Sequence, residues 1–168
     1  MKVLLNDPPR ERAEGAEKFV SLQTIMEQAD IITLHVPLEY KGDDATFHLA
    51  DKVFFEGLKK QPVLINSCRG EVVETQAVKK ALKSSFISDF VCDCWENEPD
   101  INMELLNLTA IATPHIAGYS KDGKATGTLM SVQAINDFFN LGLNNWEPSG
   151  VELPTQPIIQ IEGNGISS

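Results

Sequence analysis

The chain contains no long hydrophobic run in its 168 residues. A helix that spans a bilayer needs about 20 consecutive apolar residues. The first apolar run, Val3–Leu5, is also far too short for the core of a signal peptide. We therefore expect a protein of the cytoplasm that has no membrane partner.

Positive charge is also scarce, with 14 Lys and Arg against 24 Asp and Glu and a formal net charge of −10. Proteins that bind a nucleic-acid backbone normally present a basic face. This balance argues against a nucleic-acid partner. With 42% hydrophobic and 23% charged residues, the chain has the composition of an ordinary globular protein.

The chain has only three cysteines, Cys68, Cys92 and Cys94. An odd count without a secretory signal indicates reduced thiols rather than a disulfide framework. Cys92 and Cys94 lie two residues apart on a predicted strand, so both face one side. A zinc site would need two further ligands at suitable spacing, and the three histidines are widely scattered, so we expect no metal site.

Short apolar runs rich in β-branched residues alternate with segments of helical period, which predicts βαβ units and an α/β fold with a doubly wound parallel sheet. The predicted strands are Lys2–Leu5, Ile31–His35, Val63–Asn66, Phe86–Val91 and Ala110–Ala112. The predicted helices are Leu22–Ala29, Lys52–Leu58, Glu74–Leu82 and Lys121–Leu141. The strands are apolar almost throughout, as expected when helices cover both faces of the sheet.

The composition changes after Trp146, where prolines and glycines become frequent. We interpret residues 1–145 as a partial dinucleotide-binding domain that ends in a long helix. Residues 146–168 then form a linker and the start of a further domain, with one predicted strand at Ile158–Ile161.

Functional groups of a doubly wound sheet lie at the carboxyl ends of its strands. Three chemically complementary residues occur there: Arg69, Glu98 and His115. A guanidinium can hold a substrate carboxylate with two nitrogens and polarise the adjacent carbonyl group. An imidazole can exchange a proton with a hydroxyl group, and a neighbouring carboxylate fixes its tautomer.

Structural interpretations of the same residues remain open at this point. Arg69 alone could stabilise a loop, and His115 alone could bond to backbone. Cys68 and His115 could instead form a thiol nucleophile and its base, although Arg69 and Glu98 would then have no task. His48, in a polar loop, is expected to face solvent.

The three residues occur in the settings N-S-x-R-G, D-x-W-E-x-E-P and T-P-H-I-A-G. These settings resemble the Arg–Glu–His set of the D-isomer-specific 2-hydroxyacid dehydrogenases, which transfer hydride between NAD and a 2-hydroxy acid. The resemblance implies that Arg69 holds a small anionic 2-hydroxy acid, that His115 is the acid/base and that Glu98 is its partner. A non-catalytic, corepressor-like nucleotide-binding module of the same fold is the alternative.

The same resemblance implies further contacts. Tyr119 would contact the substrate together with Arg69. Asp7 would bond the adenosine ribose and favour NAD over NADP, and Asp93 would face the nicotinamide. Val36 stands where the family commonly has threonine, which puts a hydroxyl contact to the cofactor in doubt. The cofactor-binding set implied in this way is Asp7, Val36, Ser67, Cys68, Arg69, Asp93 and Gly118.

No G-x-G-x-x-G motif occurs in the sequence, although this motif normally allows backbone N–H groups to approach the pyrophosphate. We therefore expect a fragment of a longer, homodimeric enzyme that lacks the first strand of its sheet, and expect the chain alone to be inactive. In a sheet ordered 3-2-1-4-5-6, we expect the missing strand to separate Lys2–Leu5 and Ile31–His35 from the other three strands. Such a gap would be closed by repacking, by a strand from another copy, or by the rest of the enzyme.

Overall fold

A computed structural model describes residues 1–151 and divides the chain into two units, Met1–Ala117 and Gly118–Ser168. The first unit contains four strands, which are β1 (Ile31–Leu34), β2 (Val63–Asn66), β3 (Asp89–Cys92) and β4 (Ile111–Ala112). They form one parallel sheet in the order β1-β2-β3-β4. The predicted strand Ile158–Ile161 lies outside the described residues.

Helices connect and cover these strands. They are α1 (Pro8–Glu14), α2 (Leu22–Gln28), α3 (Lys52–Gly57), α4 (Thr75–Lys83) and α5 (Met103–Leu108), while α6 (Lys121–Phe139) belongs to the second unit. Two short 3₁₀ turns occupy Ala16–Lys18 and Gly70–Val72. The α/β class with a parallel, helix-flanked sheet is thus confirmed.

The hydrophobic core lies between the sheet and its helices. Leu64 of β2 and Phe90 of β3 are 0% and 1% exposed, and Val78 of α4 is also fully buried. Phe54 and Phe55 of α3 add an edge-to-face aromatic pair with ring centroids 5.4 Å apart. This packing fixes the positions at which the strands end, and hence the positions of the loops that follow them.

Most helices of the first unit begin with their own capping side chain. Ser21, Asp51 and Asn102 each accept a hydrogen bond from the backbone N–H three residues later, at 3.1, 2.9 and 2.9 Å. Helix α4 differs, because Thr75 N–H donates to Glu96 Oε2 at 3.0 Å from a distant loop. The start of α4 is therefore tied to the loop after β3.

Several predicted boundaries are wrong. Lys2–Leu5 forms no strand, and only Leu5 makes a single parallel bridge, to Phe19. The fourth predicted strand, Phe86–Val91, is found at Asp89–Cys92. The sequence does not predict helices α1 and α5, because α1 buries no residue and α5 buries only Leu105, so neither has a clear apolar face. Helix α6 ends at Phe139 because Asn140 adopts φ 51°.

The expected gap between Ile31–His35 and the rest of the sheet is also wrong. Each residue of β1 has a partner in β2, from Ile31 opposite Val63 to Leu34 opposite Asn66. Ile31–Leu34 pairs directly with β2, so no strand is missing between them. Leu5 and Phe19 form a separate parallel bridge outside the four strands.

Candidate functional site

The loops after β2, β3 and β4 are joined by backbone hydrogen bonds beyond the ends of the strands. Asp93 N donates to Asn66 O at 2.9 Å, and His115 N donates to Asp93 O at 2.8 Å. The backbone of these three residues therefore forms a continuous row across the carboxyl edge of the sheet. We call this row the strand-end ladder.

Glu98 and His115, which the sequence analysis paired, are in direct contact. His115 Nδ1 lies 2.8 Å from Glu98 Oε2, and Trp95 N–H donates to Glu98 Oε1 at 2.6 Å. His115 adopts φ 53°, in the left-handed region, and its side chain is 46% exposed. With Nδ1 held by the carboxylate, Nε2 is the nitrogen left to exchange a proton with a ligand.

The environment of Glu98 favours its ionised form. Partial burial on its own would raise the pKa of Glu98. The hydrogen bonds from His115 and from Trp95 N–H outweigh this effect, so the pKa of Glu98 lies below its ordinary value. A carboxylate that stays ionised can orient the imidazole and stabilise its positive charge.

Asp93 holds the segment that carries His115. Its Oδ1 accepts hydrogen bonds from Thr113 Oγ1 at 2.6 Å and from Ile116 N at 2.9 Å, and its Oδ2 accepts from Ala117 N at 3.0 Å. The side chain is buried, with 5% exposure. Asp93 therefore organises the loop after β4, and its contact with the nicotinamide stays a prediction.

Replacing Asp93 by Asn is expected to destabilise the fold at neutral pH. Burial would raise the pKa of Asp93, but the bonds from Thr113, Ile116 and Ala117 lower it below the ordinary value. The ionised carboxylate thus stabilises the fold above about pH 4 and loses this effect as the pH falls through the folded-state pKa. We expect Asp93→Asn to lower the free energy of unfolding by about 2 kcal/mol at pH 7.

Urea unfolding followed by tryptophan fluorescence measures this loss. Asp89→Asn is the matched control, because Asp89 lies at the start of β3, the strand that Asp93 follows, and is exposed. The difference between wild type and Asp93→Asn should shrink as the pH is lowered. Equal effects of the two substitutions at pH 7 would contradict the prediction.

Asn66 fixes the loop that carries Arg69, a role that the sequence did not reveal. Its amide nitrogen donates to Arg69 O at 3.0 Å and to Cys94 O at 3.3 Å, while its Oδ1 accepts from Cys68 N at 3.2 Å. The Asn66 side chain is 1% exposed. The signal available in the sequence was that a polar residue occupies a position that the strand pattern predicts to be buried.

Arg69 lies at the exposed end of this loop. Its Nη1 donates to Cys68 O at 2.7 Å, which orients the guanidinium locally. Burial, and then the negative charges of Asp93 and Glu98, raise the pKa of the Cys94 thiol to about 11, while the positive charge of Arg69 acts in the opposite direction. Arg69 and Glu98 therefore lie within electrostatic range of the same buried thiol.

The structure gives no support to a Cys68–His115 nucleophile pair. The Cys68 thiol contacts Asn66 Oδ1 at 3.2 Å, whereas His115 Nδ1 contacts Glu98. Burial also raises the pKa of Cys92 far above its ordinary value. The cysteines of this region are therefore structural groups.

A cavity of about 480 Å³ opens between the ends of β1 and β2. Four residues of the predicted cofactor set line it, namely Val36, Ser67, Cys68 and Arg69. Its volume is in the range of small-molecule sites. Their contacts with NAD stay predictions, and the sequence supplies no glycine-rich turn for the pyrophosphate.

Asp7, Gly118 and Tyr119 also belong to the predicted site. Asp7 accepts a hydrogen bond from Arg10 N at 3.0 Å and caps helix α1. Gly118 and Tyr119 belong to the second unit, in which Lys124 Nζ lies 3.5 Å from the centroid of the exposed Tyr119 ring. The cofactor and substrate contacts of these three residues stay predictions.

Residues 1–117 match the family described as D-isomer specific 2-hydroxyacid dehydrogenase, NAD binding domain. The chain belongs to this family. The fold class and NAD as the cofactor of the domain, both expected from the sequence, are thereby confirmed.

Similar curated proteins carry one name. A protein of Bacteroides fragilis named erythronate-4-phosphate dehydrogenase is 55% identical over 141 residues, covering 84% of this chain and 40% of that protein. A protein of Porphyromonas gingivalis with the same name is 47% identical over 162 residues, covering 96% of this chain and 44% of that protein. The chain thus spans less than half the length of these relatives.

Solved structures agree on the fold. The apo form of D-mandelate dehydrogenase from Rhodotorula graminis superposes with a TM-score of 0.63 at 29% identity, covering 82% of this chain and 39% of that chain. D-lactate dehydrogenase from Aquifex aeolicus, complexed with NAD and lactic acid, gives a TM-score of 0.58 at 27% identity, covering 73% and 40%. Among residues 1–151, no helix has the length and apolar character needed to cross a bilayer.

Proposed function

We propose that this chain supplies the catalytic residues and the nicotinamide end of the cofactor site of an enzyme that oxidises 4-phospho-D-erythronate with NAD. The product would be 2-oxo-3-hydroxy-4-phosphobutanoate, an intermediate of vitamin B6 biosynthesis. The observation that carries the proposal is the hydrogen bond between Glu98 and His115 at the sheet edge that also presents Arg69. The similarity to relatives named erythronate-4-phosphate dehydrogenase selects the substrate.

Two sequence segments favour the same member of the family. Leu5–Arg10 reads L-N-D-P-P-R, and Gly118–Ser120 reads G-Y-S. Both resemble the corresponding segments of 4-phosphoerythronate dehydrogenase. The homodimer and the cytoplasmic location expected from the sequence belong to this proposal as well.

Each of the three residues has a separate task in the oxidation. Arg69 binds the substrate carboxylate and places its positive charge beside the oxygen that becomes a carbonyl. His115 accepts the proton of the 2-hydroxyl group at Nε2. Glu98, bonded to Nδ1, stabilises the imidazolium that results.

When NAD is bound, its nicotinamide ring supplies the acceptor for the hydride from C2 of the substrate. Val36, Ser67 and Cys68 line the cavity in which this end of the cofactor would be held. Asp93 keeps the His115 loop closed against β3 through its three hydrogen bonds.

The proposal is tested by replacing the 141 matched residues of the Bacteroides fragilis relative with those of this chain. We expect the grafted enzyme to reduce NAD with 4-phospho-D-erythronate, and the chain alone to be inactive because it contains no G-x-G-x-x-G turn. Absorbance at the NADH band measures both. If Arg69→Ala and His115→Ala leave the grafted enzyme fully active, the catalytic assignment is wrong. A non-catalytic nucleotide-binding module is then the better interpretation of this chain.

A further inference from the structure

A second histidine–carboxylate pair lies next to the loop that carries Glu98. His48 Nε2 contacts Glu96 Oε1 at 2.6 Å, and Glu96 Oε2 accepts the hydrogen bond from Thr75 N at 3.0 Å. The side chains of Glu96 and His48 are 15% and 30% exposed. We call these three groups the His48 clamp. The expectation that His48 faces solvent is therefore wrong.

The segment that follows Arg69 lies between the His48 loop and the loop after β3. On one side, the backbone of residues 48–50 bonds to that segment, with His48 N donating to Glu71 O at 2.8 Å and Ala50 N donating to Val72 O at 3.0 Å. Residues 70–74 are thus joined to the His48 loop by backbone as well as by the clamp.

On the other side, the segment lies against the loop after β3. A Cβ atom on Gly70 would lie 2.0 Å from the backbone C and O of Trp95 and 2.4 Å from Glu96 N. Trp95 N–H in turn donates to Glu98. One loop therefore carries two carboxylates with different partners, Glu96 toward His48 and α4, and Glu98 toward His115.

The loop of Trp95, Glu96 and Glu98 has few other side-chain anchors. Trp95 Nε1 donates to Thr113 O at 2.9 Å, which ties the loop to the His115 segment. Glu96 provides the corresponding tie to the Arg69 segment through Thr75. Without Glu96, the tie that remains between the loop and the Arg69 segment is at the start of the loop, where the Asn66 amide donates to both Cys94 O and Arg69 O.

We propose that Glu96, held by His48, is a positioning residue that sets the place of Glu98 relative to Arg69. The role in catalysis rests on the proposed function. The structural part of the proposal stands on the two hydrogen bonds of the clamp and on the close approach of Gly70 to Trp95.

Glu96 is suited to this task because it remains ionised. Burial would raise the pKa of Glu96, but the hydrogen bonds from Thr75 and His48 outweigh burial and lower it. An ionised carboxylate accepts both hydrogen bonds at once and makes each of them stronger than a neutral acceptor would.

Carboxyl-detected NMR on the full chain tests whether Glu96 positions Glu98. The pKa of Glu98 depends on its bonds to His115 and Trp95, and on the nearby charge of Asp93. None of these partners is altered in Glu96→Ala or His48→Leu. If the clamp positions Glu98, both substitutions raise the pKa of Glu98 toward its ordinary value and weaken the downfield shift of the Trp95 amide proton.

Two further variants separate positioning from general destabilisation. His48→Gln keeps an N–H donor for Glu96 and should restore the Glu98 signal. Glu104 of α5 is the acidic partner of Lys79 and Lys83, which lie on α4, the helix that Glu96 caps. Glu104→Ala removes this partner and should leave the pKa of Glu98 unchanged. If Glu96→Ala fails to fold, Glu96→Gln keeps an oxygen acceptor of similar size and is measured instead.

Kinetics of the grafted enzyme give the catalytic readout. For Glu96→Ala we expect kcat to fall on the order of tenfold while KM changes less than about twofold, because the positions of catalytic groups are altered more than substrate binding. The proposal is overturned if Glu96→Ala and Glu104→Ala give the same Glu98 pKa and the same kcat. An inactive parent graft would count against the proposed function, whereas the NMR comparison would still decide whether Glu96 positions Glu98.

Discussion

Replacing His115 by Gln is expected to reduce kcat of the grafted dehydrogenase by about 10²- to 10⁴-fold, the usual contribution of a positioned acid/base. Glutamine can donate and accept hydrogen bonds, but it cannot take up the hydroxyl proton at neutral pH. The pairing of Nδ1 with Glu98 at 2.8 Å leaves Nε2 as the nitrogen that exchanges the proton, and glutamine has no equivalent group.

Initial rates of NADH formation at saturating substrate measure the effect, and the melting temperature checks that the fold is kept. We expect the KM for NAD to remain within about twofold, because His115 does not line the cavity assigned to the nicotinamide. Glu98→Gln should cause a smaller loss, since the amide still contacts Nδ1 but no longer carries charge. A kcat within threefold of the parent for His115→Gln would remove His115 from the mechanism.

Replacing Gly70 by Ala is expected to have the largest effect on stability. The added Cβ would lie 2.0 Å from the backbone C and O of Trp95, far inside any permitted contact. The clashing atoms are backbone rather than the end of a flexible side chain, so the segment after Arg69 or the loop after β3 must move. We expect the free energy of unfolding to fall by at least about 3 kcal/mol, at the upper end of the range for overpacked cores.

Gly127→Ala is the matched control, because in the described part of the chain no atom outside the backbone of helix α6 lies within 4 Å of the Cβ position of Gly127. There alanine should stabilise the helix by up to about 1 kcal/mol. Chemical unfolding followed by tryptophan fluorescence compares the two variants. Should Gly70→Ala unfold at the same denaturant concentration as wild type, the close packing of Gly70 against Trp95 is incorrect.

The elements that the sequence predicts well are those in which local pattern and packing agree. Val63–Asn66 is found at its predicted bounds because it is apolar and central in the sheet. The neighbouring prediction at Lys2–Leu5 fails although its residues favour a strand, since the structure provides a partner only for Leu5. Whether Lys2–Leu5 forms a strand depends on pairing with a segment distant in sequence, and local sequence patterns do not carry this information.

The residues of the site also fall into a group that the sequence predicts and a group that it does not. Arg69, Glu98 and His115 could be found from sequence because each belongs to a recognisable motif, and the contact of Glu98 with His115 agrees with that pairing. Asn66 was indicated only by being a polar residue at a strand position expected to be buried. The His48 clamp could not be found, since its hydrogen bonds join residues distant in sequence. Glu96 is the clearest case, because it caps a helix that begins 21 residues earlier in the chain.

The strand-end ladder shows which residues of the proposed site could be varied without moving its acid/base groups. Asn66, Asp93 and His115 are aligned by main-chain bonds, which do not depend on the identity of neighbouring side chains. Ser67 and Cys68 lie beside this row and line the cavity. Libraries that vary these two residues should therefore change the shape of the cavity while the acid/base machinery keeps its alignment.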